Sequence, residues 1–135
     1  LADIAAVTAK GEVDAVIISN TTLSRPPLRS RHKNEKGGLS GKPLFELSTR
    51  QLAKFHQLSG GKLPLVGVGG ISDAETAWMK IMAGASLLQV YSALVYTGPA
   101  LVQDILAGLA RKLRERHLVS LSEAVGLQSG EIANS

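Results

Sequence analysis

Leu63-Pro64-Leu65-Val66-Gly67-Val68-Gly69-Gly70-Ile71-Ser72-Asp73 is the stretch on which the fold turns. Its first half is a short apolar run rich in branched side chains, the pattern of a parallel strand covered by helices. Its second half breaks at two glycines and opens a helix-patterned stretch, in which Ser72 and Glu75 are spaced as a capping box and Gly84 is the stop signal. A strand that ends in Gly-Gly before a capped helix lets backbone amides approach an anion, and the helix N-terminus adds the positive end of its dipole. The same glycines also suit a tight turn that needs positive φ and binds nothing. The G-x-G-x-x-G spacing of a dinucleotide site is not there.

Working outward, residues 13–19 and 86–91 are two further apolar runs of strand length. Residues 1–10 read as a helix stopped by Gly11. Residues 47–58 place Leu52, Phe55 and Leu58 on one helical face, with Ser48 and Gln51 spaced as a capping box. A last long helix starts near Pro99 and lines up Leu101, Ile105, Leu109 and Leu113. Its basic end, Arg111, Lys112, Arg114 and Arg116, suits the negative end of the helix dipole. The order is a helix followed by three strand-helix units, which is α/β architecture. That order fits an open doubly wound sheet and a barrel alike. A complete (β/α)8 barrel needs eight units and ~250 residues, so 135 residues hold less than half of one.

Composition narrows the chemistry. The chain has no cysteine, which excludes disulfides, thiolate metal sites and a Cys nucleophile. Its apolar runs are far shorter than the ~20 residues of a membrane-spanning helix. His32, His56 and His117 are isolated, without metal-ligand spacing. The net charge of +4 is concentrated where Arg25, Arg29, Arg31, Lys33, Lys36 and Lys42 face only Glu35. This segment lacks the aromatics and modules of a nucleic-acid site, so no nucleic-acid partner is expected.

The basic residues lie in residues 21–43, a connection between a strand and its helix far longer than the usual ~2 to 6 residues. A long loop at the C-terminal end of a parallel strand carries function in both candidate architectures. At its root, Ser19-Asn20-Thr21-Thr22 offers hydroxyls and an amide able to read a planar heterocycle, although the same residues are common turn formers. Further along, Gly37-Gly38-Leu39-Ser40-Gly41-Lys42-Pro43 permits close backbone approach to a ligand, or mere flexibility. The third strand ends at Tyr91-Ser92. In barrels the loops after strands seven and eight commonly hold a phosphate, and such a placement brings Gly69, Gly70, Tyr91 and Ser92 to one anion. Taken alone, Tyr91 is an ordinary half-buried aromatic.

Taken in order, Asn20-Thr21-Thr22-Leu23-Ser24-Arg25-Pro26, Gly37 to Leu44, Gly67-Val68-Gly69-Gly70-Ile71 and Ala83-Gly84-Ala85-Ser86-Leu87 resemble class 2, quinone-dependent dihydroorotate dehydrogenases, as does Ser122-Glu123-Ala124-Val125-Gly126 near the end. The resemblance implies a C-terminal part of a (β/α)8 TIM barrel, carrying strands 6 to 8, with residues 1–135 belonging to one FMN-binding domain. Residues 1–10 are then the end of a preceding helix and residues 118–135 a C-terminal tail. It implies oxidation of dihydroorotate to orotate in pyrimidine biosynthesis, with FMN as cofactor and a quinone as electron acceptor. Asn20 and Thr21 would contact substrate, and Ser19, Gly41, Gly69, Gly70, Tyr91 and Ser92 would contact FMN. The family commonly has Thr where Ser19 and Ser92 stand; either hydroxyl serves. No catalytic residue falls in this stretch, because the family's Ser base, its FMN-contacting Lys and its membrane- and quinone-facing helices lie upstream of Leu1. The absence of an initiator Met likewise points to a longer parent. The parent is expected to be a peripheral membrane protein, and this segment to pair with the missing N-terminal half of the barrel or to self-associate. Two other functions share these motifs: a different barrel enzyme that binds a phosphorylated ligand, and a non-catalytic segment that at most binds an anion.

Overall fold

A computed structural model of the chain describes residues 1–8, 10, 11 and 13–135. Three short strands, β1 (Val16–Ile18), β2 (Leu65–Val68) and β3 (Leu87–Gln89), form one parallel sheet in the order β1-β2-β3. The register sets Ile17 beside Val66 and Val66 beside Leu87, and in the next row Ile18 beside Gly67 and Gly67 beside Leu88. Side chains alternate along a strand, so these two rows face opposite ways. The Ile18–Gly67 row is buried. Ile17 and Leu87 in the other row are 54% and 64% exposed. The strand runs read from sequence are longer than the paired segments, because only their middles find ladder partners.

The helices cover the buried row. α1 (Ala2–Thr8) leads into the sheet; the sequence reading carried it to residue 10, and residue 9 lies outside the described residues. α2 (Phe45–Leu58) packs on β1 and β2, and α3 (Ala74–Met82) on β3. α4 (Ser92–Thr97) was not foreseen from sequence. α5 (Ala100–Glu115) lies along α3. Leu52, Phe55, Leu65, Ile71, Trp78, Ile81, Leu101, Ile105 and Leu109 form the main part of one core. Gly108 is where α5 comes closest to α3, since a Cβ there would collide with Ala74.

Two expected caps are corrected. α2 begins at Phe45, behind a 3-10 turn over Lys42–Leu44, and has no side-chain cap. Ser48 therefore sits inside the helix, buried, instead of capping it with Gln51. α3 does carry a capping box, but it is formed by Asp73 and Thr76, one residue beyond Ser72 and Glu75. Burial would raise the Asp73 carboxyl, but hydrogen bonds from the Thr76 backbone, the Thr76 hydroxyl and Ser72, with the charge of Lys42, hold it below the usual range. On α2, Leu52 and Phe55 are buried as expected, whereas Leu58 is exposed because the helix ends there.

Residues 118–135 contain a 3-10 turn (Leu121–Glu123) and α6 (Ser129–Asn134), which packs along α2. Helix C-termini leave carbonyls without intrahelical partners. Here the Gly126 and Gln128 amides donate to Ile81 O and Met82 O at the end of α3, each at 3.0 Å. Gln57 Nε2 reaches the buried Ser129 hydroxyl at 2.6 Å. The His56 ring fills the space between these elements, against Gly84 and Gly126, where a Cβ would strike it.

Gly126 has φ +76 as well as this contact, so Gly126→Ala should destabilise the protein by about 1 to 2 kcal/mol through left-handed strain alone. Hydrogen exchange should then show the amides of Gln128 and its neighbours opening first. Burial also pushes the His56 imidazole below its usual 6.5. Folding thus favours the neutral ring, and this contribution is whole above 6.5 and is lost as pH falls from there toward the lowered folded value. The protection of the amides of residues 126–128, relative to their intrinsic exchange at each pH, should fall over that acid range, and His56→Asn should flatten the response.

Candidate functional site

Because the three strands are parallel, their C-terminal ends lie along one edge of the sheet, and polar or glycine residues follow closely on each. Ser19, Asn20 and Thr21 follow β1; Gly69 and Gly70 follow β2; Tyr91 and Ser92 follow β3 after Val90. The long loop after β1 folds back on its own root. Thr22 and Leu39 form an antiparallel bridge, with amide-to-carbonyl distances of 3.1 and 2.7 Å. Gly38 lies so close to Thr21 that a Cβ would overlap the threonine side chain. Arg25 donates to the carbonyls of Glu35 and Gly37, which makes it a staple of the loop rather than a free cation. The loop returns at Ser40, whose hydroxyl meets that of Ser92 at 2.9 Å.

Two clefts open along this edge. A larger one of about 670 Å³ is lined by Gly41, Gly70 and Ser92, with Lys42, Ser72 and Tyr96 among its other walls. A smaller one of about 220 Å³ is lined by Ser19, Asn20, Thr21, Gly41, Gly69, Tyr91 and Ser92. Ser40, Gly41 and Ser92 belong to both, so the two adjoin. All eight residues singled out from sequence therefore stand on one continuous surface, of a size that suits a cofactor-sized ligand. The Asn20 carbonyl accepts from the Thr21 amide at 2.7 Å, which leaves the Asn20 NH2 as the group available to a ligand. Tyr91 is 80% exposed and walls the smaller cleft from outside the core.

The Gly69-Gly70 turn has a different reason for its glycines from the one read in sequence. Both have positive φ, +99 and +77. A Cβ on Gly70 would lie 2.5 Å from Phe45 at the start of α2, and one on Gly69 would crowd Ser48 and Leu44. The side chains that glycine omits would point into protein, not into the cleft. The α3 N-terminus is also closed to an anion in part, since the Asp73 carboxylate accepts from the Thr76 amide at 2.8 Å.

Behind the turn lies a polar pair that sequence reasoning missed. The Ser48 hydroxyl donates to Gly69 O at 3.0 Å and also lies within reach of Phe45 O. Lys80 Nζ donates to the Ser48 hydroxyl at 2.6 Å and to Val68 O at 3.3 Å, and lies 5.4 Å from the centroid of the Phe45 ring. Lys80 has no exposed surface. Desolvation lowers its ammonium to about 7. The signal was a lysine on the apolar face of α3, in step with Ala77 and beside Ile81; a buried polar residue is the informative exception.

Three parallel strands with helices on one face and glycine-rich strand ends gathered at one edge place the chain in the α/β class. Comparison with known proteins gives the family. The family model for dihydroorotate dehydrogenase matches residues 1–113. The dihydroorotate dehydrogenase (quinone) of Novosphingobium aromaticivorans is 57% identical over 115 residues, which are 85% of this chain and 33% of the relative. That of Erythrobacter litoralis is 56% identical over 112 residues, 83% of this chain and 33% of the relative. The crystal structure of ligand-free DHODH from Eimeria tenella superposes with a TM-score of 0.89 at 35% identity, covering 94% of this chain and 35% of that one. The chain belongs to the dihydroorotate dehydrogenase family, and it spans about a third of the length of the curated relatives it matches.

The two kinds of glycine at the site should separate on substitution. Gly41 has φ +76 and ψ −161, a conformation close to glycine-only, but a Cβ there would rest at 3.7 Å from Ser92, so Gly41→Ala should cost only the backbone strain of about 1 to 3 kcal/mol. Gly70→Ala adds the collision with Phe45 and should cost clearly more. Urea unfolding of the two variants under one set of conditions checks the order.

Proposed function

We propose that this chain supplies strands 6 to 8 of a (β/α)8 barrel, within a single domain whose C-terminal segment is residues 118–135, and that the whole protein oxidises dihydroorotate to orotate with FMN and passes the electrons to a quinone. The observation that carries this reading is the convergence of three strand ends on two adjoining clefts lined by Ser19, Asn20, Thr21, Gly41, Gly69, Gly70, Tyr91 and Ser92. The family relation supports this chemistry for that surface. The exposed row of Ile17 and Leu87 is then the inner face of the barrel, covered by strands from the other two thirds of the protein. Quinone access and attachment to the membrane surface belong to that other part; among the described residues no helix is long and apolar enough to cross a membrane.

The residues present fit FMN by the chemistry of their donors. The Gly70 amide, the Ser19, Ser40 and Ser92 hydroxyls and the Lys42 ammonium can all donate to a phosphate or to a polar ring edge. When bound, FMN would accept the two electrons that dihydroorotate loses. Within this segment the protein's tasks are binding and orientation. Gly69, Gly70, Tyr91 and Ser92 form the phosphate end of the cofactor site, with Ser19 and Gly41 along its length. Asn20 and Thr21 hold the pyrimidine, the Asn20 NH2 donating because its carbonyl is engaged by the Thr21 amide. The base that removes a proton from substrate is assigned to the remainder of the barrel.

Asn20→Ala in the full-length enzyme should raise KM for dihydroorotate or lower turnover, by an amount equivalent to about 1 to 3 kcal/mol for a lost buried partner. Flavin content should not change. Steady-state kinetics with flavin quantitation distinguishes the two roles: flavin loss with normal substrate kinetics in the remaining holoenzyme would move Asn20 to the cofactor.

A further inference from the structure

The polar pair behind the Gly69-Gly70 turn has geometry beyond what packing demands. In a trans peptide the carbonyl and the following N–H point in opposite directions. Ser48 holds Gly69 O toward the interior, so the Gly70 N–H of the same peptide points away from it, toward the cleft that Gly70 lines. Lys80 holds Val68 O in the same way, which turns the Gly69 N–H outward beside it. Among the described residues no group accepts from the Gly70 N–H. Lys80 thus sits one hydrogen bond behind the Gly69 amide and, through Ser48, two behind the Gly70 amide.

Charge makes the same point. The α3 N-terminus is occupied by its own Asp73, and α4, with six residues, is too short to offer a strong dipole. The charged and titratable groups on the surrounding elements are Lys42 before α2, Glu46, Arg50, Lys54 and His56 on α2, Asp73 and Glu75 at the start of α3, and Asp104, Arg111, Lys112, Arg114 and Glu115 on α5; none of them bonds Lys80 Nζ among the described residues. A lysine that is fully buried with two neutral oxygen partners is costly to keep charged. An anion beyond the turn would relieve that cost.

We propose that Lys80 is the positioning residue of the phosphate turn: through Ser48 and the Val68 carbonyl it fixes the peptides that aim the Gly69 and Gly70 amides, and it takes up a proton from solvent when a phosphate dianion binds there. This rests on reading the turn as the phosphate end of the FMN site. Burial that lowers the free lysine to about 7 places the uptake within reach of neutral solution. The linkage sign follows: phosphate binding favours the protonated lysine, so affinity is greatest where Lys80 is charged in the free protein and falls as pH rises toward the value in the complex.

The test uses the full-length apoenzyme and compares FMN with riboflavin, which lacks the phosphate, from about pH 6.5 to about 9, where a phosphate monoester is already a dianion because its second pKa is about 6. Wild type should prefer FMN, the preference should fall across that range, and calorimetry in buffers of different ionisation enthalpy should show proton uptake with FMN but not with riboflavin. Lys80→Met should reduce the preference roughly tenfold for each unit by which the anion raises the lysine, abolish proton uptake, and leave riboflavin affinity unchanged. Equal weakening of both flavins would mean a packing role only and overturn the proposal, as would an intact preference in Lys80→Met. A wild type that binds FMN and riboflavin equally would instead remove the phosphate site itself. If Lys80→Met does not fold, proton uptake by wild type decides: FMN binding without uptake at about pH 8, above the free lysine's value, sinks the assignment.

Discussion

Parallel pairing is the constraint from which the rest of the structure follows. With Ile18 beside Gly67 and Gly67 beside Leu88, the three strands must finish at the same level, and whatever follows each of them is delivered to one edge. The strands themselves are too short to bind much; their value lies in alignment. A shift by one residue would exchange the buried row for the exposed one and would carry Gly67, which has no room for a side chain between Ala85 and Leu52, onto the wrong face. Register, core and site are therefore fixed together.

Behind that edge the interior is not wholly apolar. Lys80 and Ser48 are both buried, and they bind the carbonyls at the end of β2. Such groups are expensive unless paired, and an aliphatic pair of similar volume would pack as well. What an aliphatic pair cannot do is orient a peptide. The turn is also enclosed from the α2 side, where Gly70 lies against Phe45 and Gly69 against Leu44 and Ser48. The cleft thus has this turn as its floor, under a loop held by the Thr22–Leu39 bridge, the Arg25 contacts and the Ser40–Ser92 hydroxyl pair.

The parts of this arrangement that sequence revealed are those written in local pattern. The apolar runs gave the three strands, the buried stripe of Leu101, Ile105 and Leu109 gave α5, and glycines at strand ends with Asn20 and Thr21 pointed to the edge where the clefts open. Whatever depends on distant partners was not legible. Ser48 has the spacing of a cap, but the 3-10 turn before Phe45 moves the helix start and puts it beneath Gly69. Asp73 rather than Ser72 caps α3 because its carboxylate accepts from both Thr76 amide and hydroxyl. The order in residues 118–135 comes from carbonyls on α3 and a glutamine on α2, none of which a local window contains. The strand ends were overestimated for the same reason: an apolar run shows propensity, whereas a ladder needs a neighbour.

The hydrogen bonds from Gly126 and Gln128 to the end of α3 also order events in time. Synthesis runs from the N-terminus and domains assemble as they emerge, so α3 leaves the ribosome more than forty residues ahead of the amides that finish it, a span of roughly 2 to 9 s at ~5 to 20 residues per second. Until then the Met82 carbonyl lacks its Gln128 partner and the Ile81 carbonyl has only the Gly84 amide beside it, and the surface of α2 that receives α6 is bare. The segment can align its strands early, but the helical layer over them closes only when its last residues arrive.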